Sequence, residues 1–288
     1  MQKKAVVLLS GGLDSTLACR ILQEQGIEIE AINFRTAFAC CKDDALEAAR
    51  QFGIKVSVLS LGEDYFKLVE KPKYGWGKGI NPCVDCRAYM FRLARKFMEL
   101  CGASFVASGE VLGQRPMSQM MRQLTIIEEE SGLKGLLLRP LSAKLLAPTF
   151  PEENGIVDRE RLYGISGRSR KELLTLAVKY GIDDPPTPST GCLLTEPDFA
   201  KKVRDVFDHV PEYTRWHFDT LKVGRHFRLS AEAKAILGRD QEENKTLEVL
   251  HREGSVLIVP ANFKGPSALI VGKSGQELEE KVSGLILH

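Results

Sequence analysis

The stretch "VVLLSGGLDSTLACRIL", residues 6–22, begins as an apolar run, breaks at two adjacent glycines and resumes with helical spacing. Val6, Val7, Leu8 and Leu9 predict a buried strand, because four consecutive aliphatic residues closed by Ser-Gly-Gly suit a strand covered on both faces. Gly11 and Gly12 can take backbone angles closed to other residues and let an anion approach the main chain. From Ser15, the apolar positions Leu17, Cys19, Ile21 and Leu22 predict a helix whose free N–H groups and positive dipole end face the loop. Phosphate is the guest such a break suits, although glycines alone serve equally in a plain strand-to-helix connection.

The string Ser10-Gly11-Gly12-Leu13-Asp14-Ser15 resembles the SGGxDS signature of the PP-loop ATP pyrophosphatases. No Gly-x-x-x-x-Gly-Lys-Ser/Thr string occurs, which sets the loop apart from that of kinases and GTPases. The resemblance implies cleavage of ATP between its α and β phosphates, leaving an adenylated substrate and pyrophosphate. Ser10, Gly11, Gly12 and Ser15 would then cradle the pyrophosphate, with Asp14 near the Mg2+ that offsets its charge.

Composition narrows the class. With 288 residues, 43% hydrophobic and 27% charged, the chain can bury a sizeable core and is long enough for two domains. No apolar stretch approaches the roughly 20 residues that span a bilayer, and the amino terminus reads as a strand entering the glycine loop, not as a signal peptide. Seven cysteines without an export signal predict a reducing cytoplasm, where clustered thiols bind metal or react more often than they form disulfides. The net charge of +2 leaves any nucleic-acid partner to be argued from local patches.

Strands and helices alternate along the chain, predicting a doubly wound, mainly parallel α/β sheet. Residues 28–34 and 55–61 read as strands, 43–53 and 87–102 as helices, and 103–110 as a strand entering the loop "SGEVLGQRP". Ligands of such sheets sit beyond the carboxyl ends of the strands, so the loop after Leu9, the segment 34–41 and the loop carrying Gly109 should converge. Residues 128–135 read as a turn or hairpin and 147–155 as a loop. After about residue 205 the character changes, predicting a first domain over 1–204 and a smaller α/β domain over 205–288.

In "YGWGKGINPCVDCRAYMFRLARK", residues 74–96, Cys83 and Cys86 have the spacing that lets two thiolates reach one metal. A third thiol, Cys192, follows the Pro- and Gly-rich run "GIDDPPTPSTG". Structural zinc, a redox disulfide and a three-thiolate [4Fe-4S] cluster are all compatible with these residues alone. Cys40 and Cys41 could supply a fourth ligand, a sulfur relay or a strand-end thiol, whereas Cys19 and Cys101 fit core packing.

Together, "NPCVDC", "ASGEVLGQRPMSQ", "LRPLSAK" and "STGCLL" resemble the tRNA thiouridine synthetases, the ThiI and MnmA groups and their iron–sulfur relatives such as TtcA and TtuA, over roughly residues 6–200. The resemblance implies adenylation of a uridine carbonyl oxygen and displacement of AMP by sulfur. Members with two cysteines pass sulfur from a persulfide, and those with three use a [4Fe-4S] cluster, so Cys83, Cys86 and Cys192 point to the cluster. ThiI carries a THUMP domain ahead of its PP-loop, for which there is no room before Ser10, so a short form is expected. Position 8, giving 4-thiouridine, is the expected target, with wobble 2-thiouridine the alternative. Sulfide or a persulfide would be the donor, and a homodimer is among the expected assemblies.

Asp85, between the two cysteines, is a candidate acid or base, or a solvated loop carboxylate. On the helix that follows, Met90, Leu93, Phe97 and Leu100 predict the buried stripe, leaving Arg87, Arg92, Arg95 and Lys96 as a basic face for tRNA phosphates. Arg168 and Arg170 form a second basic segment. Tyr74 and Trp76 could stack on a base or clamp their own loop. The carboxyl-terminal segments resemble the NFACT-R type of RNA-associated domain. Two other readings remain: ATP-dependent sulfur transfer to or from a small molecule, and a non-enzymatic RNA-binding protein with a structural metal.

Overall fold

The computed structural model describes residues 2–38, 44–182, 185 and 191–287. Cys40, Cys41 and most of the run preceding Cys192 therefore lie outside the described residues. The chain divides into two compact units, Met1–Cys192 and Leu193–His288.

The first unit runs β1 (Lys4–Leu8), α1 (Leu13–Glu24), β2 (Glu28–Arg35), α2 (Asp44–Gln51), β3 (Lys55–Ser60), α3 (Glu63–Glu70), α4 (Cys83–Cys101), β4 (Phe105–Ser108), α5 (Met121–Ser131), β5 (Leu137–Leu138), α6 (Phe150–Glu153) and α7 (Lys171–Lys179). Its five strands pair in the order β3-β2-β1-β4-β5, all parallel. The apolar run of β1 is buried on both faces, as its lack of alternation predicts. Val7 and Leu9 join Leu17 and Ile21 of α1 and Leu173 of α7 in one cluster, whereas Val6 and Leu8 join Phe91 and Met98 of α4 in another. Chain order reverses at β1, whose neighbours are β2 and β4, so the glycine loop after β1 stands at the sheet's switch point.

Four local expectations are corrected. The helix expected over 87–102 begins at Cys83, so both cysteines of the pair lie on its first turn. Its buried positions are Asp85, Ala88, Phe91, Ala94 and Met98, while Leu100 is 85% exposed. The stripe follows the small and aromatic side chains that fit against the sheet, with Met90 and Phe97 packing only at its margin. Residues 128–131 continue α5, and Gly132, at φ 68°, takes the left-handed C-cap that ends it. Residues 150–153 form the short α6, opened by Thr149 and Glu152, whose carboxylate accepts from the Thr149 N–H at 2.7 Å.

The second unit contains α8 (Pro197–His209), α9 (Arg215–Asp219), β6 (Arg225–Arg228), β7 (Ala233–Leu237), α10 (Gln241–Leu250), β8 (Ser255–Ile258), β9 (Ala268–Gly272) and α11 (Gln276–Ile286). Its strands pair antiparallel in the order β6-β7-β9-β8. Val282 and Ile286 of α11 cover the Ala235 and Leu237 face, and Leu247 of α10 covers the Ile236 face. The division falls ahead of residue 205 because α8 packs with α9. Among the described residues no helix is long and apolar enough to cross a membrane.

Candidate active site

Gly11 takes φ 84°, a left-handed angle that favours glycine, and Gly12 caps α1 without a side-chain hydrogen bond. The first N–H groups of α1 thus point into the loop without a side-chain cap. The loop is braced from inside: the Ser15 hydroxyl donates to the Gly12 carbonyl at 2.8 Å and accepts from the Ser10 N–H at 3.2 Å. Asn33 of β2 donates to the Leu9 carbonyl at 2.8 Å, fixing the strand end from which the loop departs. Ser10, Gly11, Gly12, Asp14 and Ser15 are thereby brought into one turn.

Gly109 stands directly against this turn. A Cβ at Gly109 would lie 2.4 Å from the backbone C and O of Asp14 and from the Ser15 N. Backbone cannot yield as a flexible side chain can. Gly109→Ala is therefore expected to cost about 1–3 kcal/mol, typical of overpacking, and to displace the helix start that carries Asp14. Thermal denaturation of the variant beside the wild type checks this, and an unchanged Tm would refute the close approach. Gln114, five residues on, donates to the Asp14 carboxylate at 2.9 Å, so the 109–114 loop holds Asp14 as well as its backbone.

Glu110 extends the connection. Its fully buried carboxylate pairs with Arg87 of α4 at 3.1 Å and with Arg139, after β5, at 2.9 Å. Arg139, 2% exposed, also pairs with Glu128 of α5. Burial pushes the Glu110 carboxyl up, but Arg87 and Arg139 outweigh it and hold the group below the usual carboxylate range. In the same "LRPLSAK" segment, the Ser142 hydroxyl accepts from the Leu112 N–H at 2.9 Å and donates to the Ile165 carbonyl at 2.7 Å. Sequence reading assigned no role to Glu110, Arg139 or Ser142. Charged residues inside apolar motifs were the available signal, because a buried charge needs a partner.

The thiols lie at the other end of this connection. Cys83 and Cys86 open α4, and the Cys86 sulfur stands 3.1 Å from the hydroxyl of Tyr65, which is 2% exposed. Burial raises the Tyr65 phenol, and the charges of Cys86, Cys192 and Cys83 raise it further. Cys192 donates to the Phe38 carbonyl at 3.6 Å, and the Phe38 and Tyr65 rings stand 6.2 Å apart. Burial lifts the Cys83 thiol, opposed by Arg87 and Arg115, and lifts Cys86 to about 11. Among the described residues no three His, Cys, Asp or Glu side chains stand close enough to share one metal ion. Cys83 and Cys86 share the first turn of α4, while Cys192 is held at the carbonyl of Phe38, whose ring adjoins Tyr65. Cys19, fully buried in the core, is pushed to about 12, and Cys101 donates to the Met98 carbonyl at 3.6 Å.

Asp85 is not a solvated loop carboxylate. It is 8% exposed and accepts from the Lys73 and Tyr74 N–H groups at 2.9 and 3.1 Å, pinning the glycine-rich approach to α4. Tyr74 and Trp76 clamp the same segment, donating to Glu130 at 2.6 Å and to the Val69 carbonyl at 2.8 Å. Of the proposed basic face, Arg87 is engaged by Glu110. Arg92 lies over the Tyr89 ring and donates to the Glu130 carbonyl, and Arg95 reaches Glu99 and the Gly132 carbonyl. Lys96 and Arg168 are exposed, and Arg170 is the half-buried N-cap of α7.

Residues 1–144 match the family model described as thiamine biosynthesis protein (ThiI), and residues 224–287 match that of the NFACT protein RNA binding domain. The tRNA-specific 2-thiouridylase MnmA of Caldicellulosiruptor saccharolyticus is 27% identical over 70% of this chain and 58% of its own. That of Sulfurimonas denitrificans is 36% identical over 39% of this chain and 36% of its own. The chain thus spans 36 to 58% of the length of these relatives. A solved 4-thiouridine synthetase–RNA complex with bound ATP is 23% identical, covering 62% of this chain and 51% of that one, with a TM-score of 0.40. With half its length matched, and with a parallel sheet that sets the Ser10–Ser15 loop at its switch point, the chain belongs to the ThiI family.

Proposed function

We propose that the chain is a tRNA sulfurtransferase that adenylates a uridine carbonyl oxygen with ATP, releasing pyrophosphate, and replaces that oxygen with sulfur to form 4-thiouridine at position 8. One observation carries the reading: the turn of Asp14, the buried Glu110 and the thiol helix are joined through Gly109 and Arg87. The RNA-binding family model and the names of the 2-thiouridylase relatives support tRNA as the substrate.

The α1 N-terminus and the Ser10–Ser15 loop would receive the phosphates, with Asp14 beside Mg2+. Cys83, Cys86 and Cys192 would hold a [4Fe-4S] cluster, which when bound supplies an iron able to carry sulfide. Tyr65, its phenol raised by burial, keeps its proton at neutral pH and offers a hydrogen bond to the Cys86 sulfur. The buried rings of Phe38 and Tyr65 limit water there, which protects hydrosulfide. Arg92 and Arg95, though engaged, along with Lys96, Arg168 and Arg170, would meet RNA phosphates through their outer faces. The names of the relatives favour 2-thiouridine at the wobble position as the second reading.

The test is anaerobic incubation of the purified protein with an unmodified tRNA transcript, ATP, Mg2+ and sulfide, followed by nucleoside mass spectrometry. Expected are AMP and 4-thiouridine in step, with about four irons per chain. A 2-thiouridine product would move the target to the wobble position. AMP without any thionucleoside would turn the reading to small-molecule sulfur transfer, and stoichiometric zinc would remove the cluster.

A further inference from the structure

We propose that the second unit holds a pocket for one phosphate-bearing RNA nucleotide, between α8, α9 and the sheet. The inference rests on the RNA reading above. A cavity of about 270 Å³ opens there, near the lower end of ligand pockets of roughly 300–1,000 Å³. That is the scale of one nucleotide and not of a protein segment.

Arg228 of β6 and Lys234 of β7 are directly opposed in the antiparallel ladder, so their side chains leave the same face of the sheet. Both line the cavity and both reach Asp205 of α8, Arg228 at 2.9 and 2.5 Å and Lys234 at 2.7 Å. Lys202, one turn earlier on α8, donates to the Leu221 carbonyl at 3.2 Å. Two partly or largely buried cations, Arg228 and Lys234, therefore share one carboxylate, and the Lys234 side chain is only 7% exposed.

The excess of positive charge is felt by neighbours. Burial, reinforced by Lys234 and Lys202, depresses the His226 imidazole to about 3, and burial followed by Lys234 and Arg239 lowers Lys202. At the cavity wall Arg228 and Lys234 together carry one charge more than the Asp205 they share, which favours an anion.

The remaining walls select among anions. Val206, Val210, Pro211, Leu221 and Val271 form an apolar side, which inorganic phosphate would leave unused but a ribose and base would cover. His217 also lines the cavity. Its Nδ1 accepts from the Thr214 N–H at 3.0 Å, so the neutral ring carries its proton on Nε2 and presents a donor. Lys273, paired with Glu232 at 2.9 Å, adds an exposed cation at the rim.

The test uses the full chain with two probes, an unmodified tRNA transcript and a short 5′-phosphorylated oligoribonucleotide, titrated by fluorescence anisotropy over a series of salt concentrations. Arg228→Gln combined with Lys273→Gln, which leaves Lys234 on Asp205, should weaken both probes about tenfold and flatten the salt dependence by about one unit of slope per cation removed. ATP binding and Tm, set by the first unit and the fold, report that the variant is intact. His217 ring signals in the wild type should shift with the oligonucleotide. Wild-type affinity in the folded variant, or His217 signals that move with inorganic phosphate and not with RNA, would overturn the pocket. Binding of the oligonucleotide but not of tRNA would keep the pocket and overturn the tRNA reading instead.

Discussion

Cys83→Ala, Cys86→Ala and Cys192→Ala are each expected to lower tRNA thiolation at least about 100-fold, while Cys19→Ala and Cys101→Ala stay within about twofold. Cys83 and Cys86 share the first turn of α4, the Cys86 sulfur touches Tyr65, and Cys192, 106 residues beyond Cys86, is held at Phe38 beside the same ring. Groups that act as a unit lose their effect together, so the triple variant should be little worse than any single one. Misplacing a reacting group by about 1 Å already costs on the order of 100-fold, and removing its holder costs no less. Nucleoside mass spectrometry measures the product, and iron analysis of the same preparations reads the metal independently of turnover. One of the three variants retaining more than a tenth of wild-type activity, with its iron intact, would remove that thiol from the set. ATP binding should persist in all of them, because the Ser10–Ser15 loop is braced by its own hydroxyls and by Asn33.

What the sequence discloses here is local and what it conceals is long-range. The apolar run of Val6–Leu9, the glycines and the helix after them lie within a few residues of one another, so their spacing alone predicts strand, turn and helix. The parallel order follows from alternation of element types, since a parallel pair requires a crossover. The basic face of α4 is different. Its arginines follow helical periodicity, but periodicity does not see Glu110, Glu130 or Gly132, each supplied by another part of the fold. The buried stripe of α4 was misplaced for a related reason: Ala88 and Ala94 are buried because the sheet comes close, whereas Leu100 lies on the opposite side. The solvated alternative for Asp85 does not hold because its partners are two backbone N–H groups, which carry no sequence signature.

Glu110→Ala is expected to destabilise the protein by about 3–5 kcal/mol, the cost of removing one partner from a buried ion pair. At roughly 2–4 °C per kcal/mol this lowers Tm by about 10 °C. Two guanidinium groups would be left facing each other across the vacated carboxylate, one of them on Arg139, whose Nη2 already lacks a hydrogen-bond partner. Glu110→Gln separates charge from shape, since its amide oxygen can still accept from Arg139. The pH dependence fixes the sign: a carboxylate held below its ordinary value of 4.5 contributes stability above that value and loses it as the pH falls toward the depressed one. The stability gap between wild type and Glu110→Gln should therefore be constant near neutrality and narrow below about pH 4.5. A gap that widens on acidification would mean that burial, and not the arginines, governs Glu110. The same substitution reaches the chemistry, because Arg87 follows Cys86 on α4 and Gly109 precedes Glu110 against Asp14. Freed from Glu110, both the thiol turn and the phosphate loop lose their common anchor, so kcat for thiolation should fall further than ATP affinity does.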